Sequence, residues 1–260
     1  MKRILVRIII VVIIILLIGG YLGFIPGISN LFGSNRPRNL GVNCDPKDFE
    51  SAKRKTGVSF IALEPNSPLK DSIKFSGKRS INTQLTSEEL TSLVREIKWK
   101  YLPLKKISMK VNNDGYLETS SVIEGSKVTA ALKAYNIIPE TSFMIPSIYE
   151  NVYALDGKEG INKFYSTIDM VSKFLKSNPS FYTKAKANIY NNKLIDFKID
   201  AVYLGRLNIT GIAKTSEGSI KGLIEDMLNN TPGLFISSLT FKDMKVHMEG
   251  TIPERISYSP

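Results

Sequence analysis

The first hydrophobic pattern in the chain is an unbroken one: from Ile8 to Ile18 every residue is Ile, Val or Leu. With Gly19 to Ile25 the uncharged stretch reaches 18 residues, roughly 27 Å of helix at about 1.5 Å per residue. That length just crosses the apolar core of a bilayer. A cleavable signal would have a shorter apolar region and an Ala-x-Ala-like site, yet no alanine precedes Ala52. A lipoprotein signal would need cysteine directly after the run, and the only cysteine is Cys44. The pattern therefore predicts a signal-anchor over residues 1–25, a cytoplasmic stub and one transmembrane helix. Lys2, Arg3 and Arg7 precede the run, and such residues stay in the cytoplasm. The expected location is the cell membrane, single-pass, with the N-terminus cytoplasmic and the rest extracytoplasmic, at the envelope.

After the anchor, "SNLFGSNRPRNLGVN" gathers Gly, Ser, Asn and Pro, the composition of a flexible tether over residues 26–39. Residues 40–260 are enough for one sizeable domain with its own core. Helical periodicity is clearest in "GKEGINKFYSTIDMVSKFLKS", where Ile161, Phe164, Tyr165, Ile168, Val171 and Leu175 form one stripe. A second helix opens at "TSEELTSLVREI", with Thr86 or Ser87 as cap and Leu90, Leu93, Val94 and Ile97 directed inward. A third runs through "SIKGLIEDML"; shorter ones fall in "PKDFESAKRK" and "GSKVTAALKAY". In the first of these two, Asp45 is the expected cap, Pro46 the first helical residue and Asp48 the capping-box partner.

Alternation marks the strands. Ile107, Met109 and Val111 alternate with polar residues before the turn Asn113-Asp114-Gly115. The design recurs around Asn191-Asn192 and in "ISSLTFKDMKVHMEGTIP". The segments 86–124 and 215–252 each read as a capped helix, a proline-containing break and a hairpin, so one unit used twice is a possible origin. Meandering strands with helices on one face make the fold class α+β.

Charge and chemistry narrow the function. The net charge is +11, from 35 basic and 24 acidic residues. Removing Lys2, Arg3, Arg7, Arg36 and Arg38 leaves 30 against 24, a balance of +6. A mildly basic external domain is attracted to anionic headgroups or envelope polymers, and nucleic acid is not an expected partner. One cysteine makes no internal disulfide. His247, the sole histidine, shares a strand face with Lys245 and Glu249 and is expected to be exposed. One histidine and one cysteine exclude a His/Cys zinc site and leave no legible Ser-His or Cys-His pair, so no metal, cofactor or enzymatic activity is expected. Ser67-Pro68-Leu69-Lys70 and Lys55-Thr56-Gly57 match the S-x-x-K and K-T-G of penicillin-binding proteins, but in reversed order and without the middle motif. A peptidoglycan-acting serine enzyme is thereby the weakest alternative.

"NLGVNCDPKDFESAKRKTGVSF" and "LTSEELTSLVREI" followed by "ISMKVNNDGYLETSSVI" resemble a group of uncharacterised bacterial envelope proteins with one N-terminal anchor. The closing "LFISSLTFKDMKVHMEGTIP" is similar to the last hairpins of membrane-anchored relatives of the tubular lipid-binding, TULIP-like, superfamily. That resemblance implies a curved antiparallel sheet wrapped round a helix, covered by amphipathic helices and enclosing an apolar groove. On this expectation Met109, Val111, Leu239, Phe241, Val246 and Met248 face Phe164, Ile168 and Val171 across a lipid-binding groove, and Lys163 and Lys173 meet the headgroup. Without a groove, the same residues are ordinary core. The expected function is a non-enzymatic, membrane-anchored domain binding a phospholipid or other amphiphile, the alternative being an assembly scaffold for another envelope protein.

Overall fold

A computed structural model of the chain describes residues 2–134 and 178–260. The helices are α1 (Lys2–Leu22), α2 (Ile28–Phe32), α3 (Pro46–Thr56), α4 (Ser87–Glu96), α5 (Gly125–Ala134), α6 (Thr210–Thr215) and α7 (Glu217–Asn230). The strands fall into three sheets, giving a mixed α+β fold dominated by antiparallel pairing. A three-stranded sheet places β13 (Arg255–Tyr258) between β1 (Ser59–Ala62), which runs parallel to it, and β2 (Ile73–Ser76). A five-stranded antiparallel sheet has the order β3 (Arg79–Thr86), β12 (Lys245–Ile252), β11 (Phe235–Lys242), β7 (Ile189–Tyr190), β8 (Lys193–Leu194). The other five-stranded sheet, also antiparallel, runs β10 (Leu207–Asn208), β9 (Lys198–Leu204), β6 (Ser180–Lys186), β5 (Leu117–Ile123), β4 (Leu104–Val111). We refer to them as the small, the C-terminal and the central sheet.

Local chemistry accounts for the elements. Asp45 caps α3 by accepting from the amides of Lys47 and Asp48, while the Asp48 side chain accepts from the Asp45 amide, the expected capping box. Thr86 and Glu89 build a second box at the start of α4. The hairpin turns need left-handed residues, and Gly115, Asn191 and Asn192 supply them at φ 78°, 49° and 59°.

One expectation is corrected and another is refined. The segment 26–39, expected as a flexible tether, carries α2 and is fastened to the central sheet, because both the amide and the hydroxyl of Ser180 donate to the Ser34 carbonyl at 3.0 Å. On α4 the most buried side chains are Ser87, Glu89, Thr91 and Ser92; of the residues expected inward, Leu90 packs on the Val111 cluster and Ile97, just past the helix, on the Trp99 cluster, while Leu93 and Val94 are half-buried. The reason is the free edge of β4. Thr91 Oγ1 accepts from the Met109 amide at 2.9 Å and donates to its carbonyl at 3.1 Å. Ser87 Oγ accepts from the Val111 amide, and Arg95 Nε donates to the Ile107 carbonyl. A polar helix face thus takes the place of a neighbouring strand and seals the edge.

The two segments suspected of duplication do share the order helix, strand, turn, strand. They use their helices differently: α4 lies along a strand edge, while α7 sets Ile224 and Leu228 against Ile189, Leu194 and Ile236 of the C-terminal sheet. The expected helix around Phe164 to Leu175 lies outside the described residues. Among the described residues no helix is long and apolar enough to cross a membrane.

Candidate functional site

Five of the six strand residues expected to line a groove lie instead in packed core clusters. Phe241 pairs with Val246 and Leu239 with Met248 across β11 and β12. Val111, Phe241 and Val246 form one buried cluster, with Leu239, Leu90 and Leu117 against it. Met248 packs on Val58, Ile81 and Ile252, and Met109 is half-buried on β4. None of the six lines a cavity described below. The other members, Phe164, Ile168, Val171, Lys163 and Lys173, lie outside the described residues.

Two cavities lined by described residues sit instead around an irregularity in β4. Register between β4 and β5 slips between Lys105 and Ser108, and Lys106 takes a left-handed φ of 52°, a conformation that costs a residue with a Cβ free energy. The bulge turns the side chains of Lys105 and Lys106 outward at the mouth of two cavities. One, of about 300 Å³, has apolar walls from Val94, Ile97, Leu102 and Leu104 and is backed by Trp99. The indole is buried, and its Nε1 donates to Ser72 Oγ at 3.0 Å, which fixes the ring in the cluster of Ile73, Ala131 and Tyr258. Around this apolar floor stand Arg95, Lys98, Lys100, Lys105, Lys106 and Lys127, against a single lining carboxylate, Glu124.

That carboxylate is occupied. Lys105 and Lys127 both pair with it, the latter at 2.9 Å. Burial raises the Glu124 carboxyl, but hydrogen bonds and charge attraction from the two lysines outweigh it and hold the group below the usual carboxylate range. Lys98 pairs with Glu96 at 3.5 Å, and Lys100 reaches the Pro65 carbonyl. Lys106 is exposed and pairs with no carboxylate among the described residues.

The second cavity, of about 410 Å³, shares Lys105 and Lys106 with the first and extends to Pro26, Gly27 and Asn30 just beyond α1. Together they form a groove from the end of α1 along the β4 bulge to the Trp99 loop. A third cleft, of about 580 Å³, is lined by Gly57, Ser59, Ser76, Gly77, Arg79, Glu254 and Arg255 and has no apolar wall.

The remaining sequence motifs have local uses. Lys55 donates to Glu89 at 2.7 Å and Ser67 to the Glu64 carbonyl at 2.7 Å. Cys44 Sγ lies 3.5 Å from the Glu88 carbonyl as a weak donor. Asp114 accepts from the Tyr116 amide within its turn and pairs with Lys184 at 3.3 Å. His247 departs from expectation: it is half-buried between Gln84 and Thr240 in the strand register, with Nε2 enclosed and without a hydrogen-bond partner among the described residues. The groove residues had a visible signal in "KWKYLPLKK" (98–106), where lysines interleave with aromatic and leucine residues. Compared with family models, curated proteins and solved structures, the chain matches none of them.

Proposed function

We propose that this is a single-pass, membrane-anchored envelope protein whose extracytoplasmic domain binds an anionic lipid or related amphiphile without catalysing a reaction. The observation that carries the reading is the groove at the β4 bulge: apolar walls of Val94, Ile97, Leu102 and Leu104 beneath a rim of six cations, with one lining carboxylate already paired. An apolar floor complements an alkyl chain, and a cationic rim complements an anionic head. The all-polar third cleft lacks the first half of that match.

The membrane part of the proposal draws on α1. From Ile9 to Ile18 every side chain is a large aliphatic one left between 41% and 61% exposed. A continuous apolar surface of this kind is normally covered by lipid or by another protein, and the flanking Lys2, Arg3 and Arg7 favour the cytoplasm for its start. The TULIP-like resemblance points to the same ligand class, though the groove argued here uses other residues.

The test is lipid analysis of the full chain purified from membranes in mild detergent, by native mass spectrometry. The expected result is anionic lipid at near-stoichiometric amounts, lost roughly tenfold or more in Lys105→Glu/Lys106→Glu, since each charge reversal near the headgroup removes about 1 kcal/mol and adds repulsion. A folded parent chain carrying no lipid overturns the reading and leaves the envelope scaffold, whose partner crosslinking in cells would reveal.

A further inference from the structure

We infer that the junction between α1 and the domain is a membrane-docking collar, which seats the end of the central sheet directly on the anionic leaflet that α1 enters. This rests on the reading of α1 as an anchor and is independent of the amphiphile groove.

The junction has no slack. Ser34 Oγ donates to the Tyr21 carbonyl in the last turn of α1, while the Ser34 carbonyl accepts twice from Ser180 at the start of β6. The Arg206 amide, in the β9–β10 turn, donates to the Leu22 carbonyl at 3.4 Å. Two glycines permit this approach: a Cβ on Gly205 would lie 2.2 Å from the Leu22 oxygen, and one on Gly23 would lie 3.3 Å from the Gly205 Cα. Ser29, Ser34 and Pro179 are almost completely buried there. The end of α1 therefore sits at a fixed height and tilt against the sheet.

What surrounds that end has the chemistry of a headgroup layer. The Arg206 guanidinium lies 4.8 Å from the Tyr21 ring centre and donates to the Phe32 carbonyl. Tyr21 and Phe32 meet edge to face at 5.7 Å. Leu31, on α2, points out with 83% of its surface exposed, and Arg36 is exposed beside it. Tyrosine, arginine and one protruding leucine at the exit of an apolar helix match an interface where rings and guanidinium groups stay among headgroups and the leucine enters the acyl boundary. The two arginines select an anionic leaflet.

The experiment uses the full chain with Cys44→Ser and Leu31→Cys, the new thiol carrying an environment-sensitive fluorophore. The protein is reconstituted in phosphatidylcholine vesicles with and without phosphatidylglycerol, together with lipids bearing a shallow quencher. Quenching is expected in both and stronger with phosphatidylglycerol, the difference falling roughly fivefold in Arg36→Glu, which is exposed and spares the fold. Arg206→Glu should act the same way, with circular dichroism confirming that it folds. A fluorophore that stays in water, or that responds equally to both lipids, overturns the collar. Release of the chain by alkaline carbonate identifies failure of the anchor reading itself.

Discussion

The Arg38 guanidinium lies between two tyrosine rings on adjacent strands, 4.0 Å from the centre of Tyr182 on β6 and 4.1 Å from that of Tyr203 on β9. The rings are strand partners tilted by 59°. Tyr182 donates to Glu118 Oε2 at 2.7 Å, and burial together with that bond pushes its phenol up to about 12. Arg38 thus sits on a Tyr182 phenol that stays neutral over the physiological range. The stack is the last of the fastenings that tie the chain after α1 to the central sheet.

Arg38→Ala should destabilise the domain by about 1 kcal/mol, the upper end for a cation on aromatic faces at an exposed site. It should also open the segment near Leu40 to thermolysin under native conditions. Urea unfolding and timed proteolysis read the two effects. Unchanged proteolysis would mean that Ser34 and Ser180 hold the segment without the stack.

Glu89 gives a pH dependence with a definite sign. Burial raises its carboxyl, but hydrogen bonds from Lys55, Ser51 and the Thr86 amide, with the Lys55 charge, hold it below its ordinary 4.5. A depressed carboxylate stabilises the fold fully above its unfolded value and loses that stabilisation as pH falls through the folded one. Glu89→Gln should therefore cost about 2 kcal/mol near neutrality, because Lys55 loses its carboxylate and keeps only the Gln84 carbonyl. The gap between variant and parent should close as pH drops below 4.5. Denaturant midpoints across this window check it, and a gap independent of pH would contradict it.

The sealed edge of β4 predicts where exchange protection comes from. Thr91→Val keeps the volume of the side chain but leaves the amide and carbonyl of Met109 without their shared partner. The cost should be about 1–3 kcal/mol for buried backbone groups left unpaired. Hydrogen exchange should accelerate at Met109 while Val111, held by Ser87, stays protected. Equal acceleration along the strand would show that the edge opens as a unit.

Much of this architecture was legible from the chain. The caps at Asp45 and Thr86 and the turns at Gly115 and Asn191-Asn192 follow from local chemistry, and local chemistry is what sequence displays. The division of hairpins into separate sheets depends on long-range pairing, such as β1 with β13, which no window of residues contains. The alternation of Leu239, Phe241, Val246 and Met248 identified an inward face correctly. Periodicity distinguishes inside from outside, but a cavity wall and a packed core are equally apolar, so the expected groove could not be separated from the cluster around Val111 and Phe241. On α4 the apolar stripe places Leu90 against the core but does not reveal that Ser87 and Thr91 are buried for their hydrogen bonds. The groove itself was missed because it arises from a bulge, and the residue that makes the bulge is an ordinary lysine.

Lys106 offers the sharpest separation of stability from function. At φ 52° a lysine pays for a left-handed backbone that glycine adopts freely, a strain of about 1–2 kcal/mol, part of which glycine returns through its larger unfolded-state entropy. Lys106→Gly should therefore leave stability unchanged or raise it by up to about 1 kcal/mol. The same change removes a groove cation that pairs with no carboxylate among the described residues and should weaken retention of anionic lipid by roughly fivefold, the equivalent of about 1 kcal/mol per charge at a membrane surface. Thermal unfolding and lipid mass spectrometry on the same sample measure both. A variant that is more stable and binds less would mean the strain is kept for the charge it presents. One that is more stable with lipid undiminished would remove Lys106 from the ligand site and leave Lys105 and Arg95 as the cations to examine.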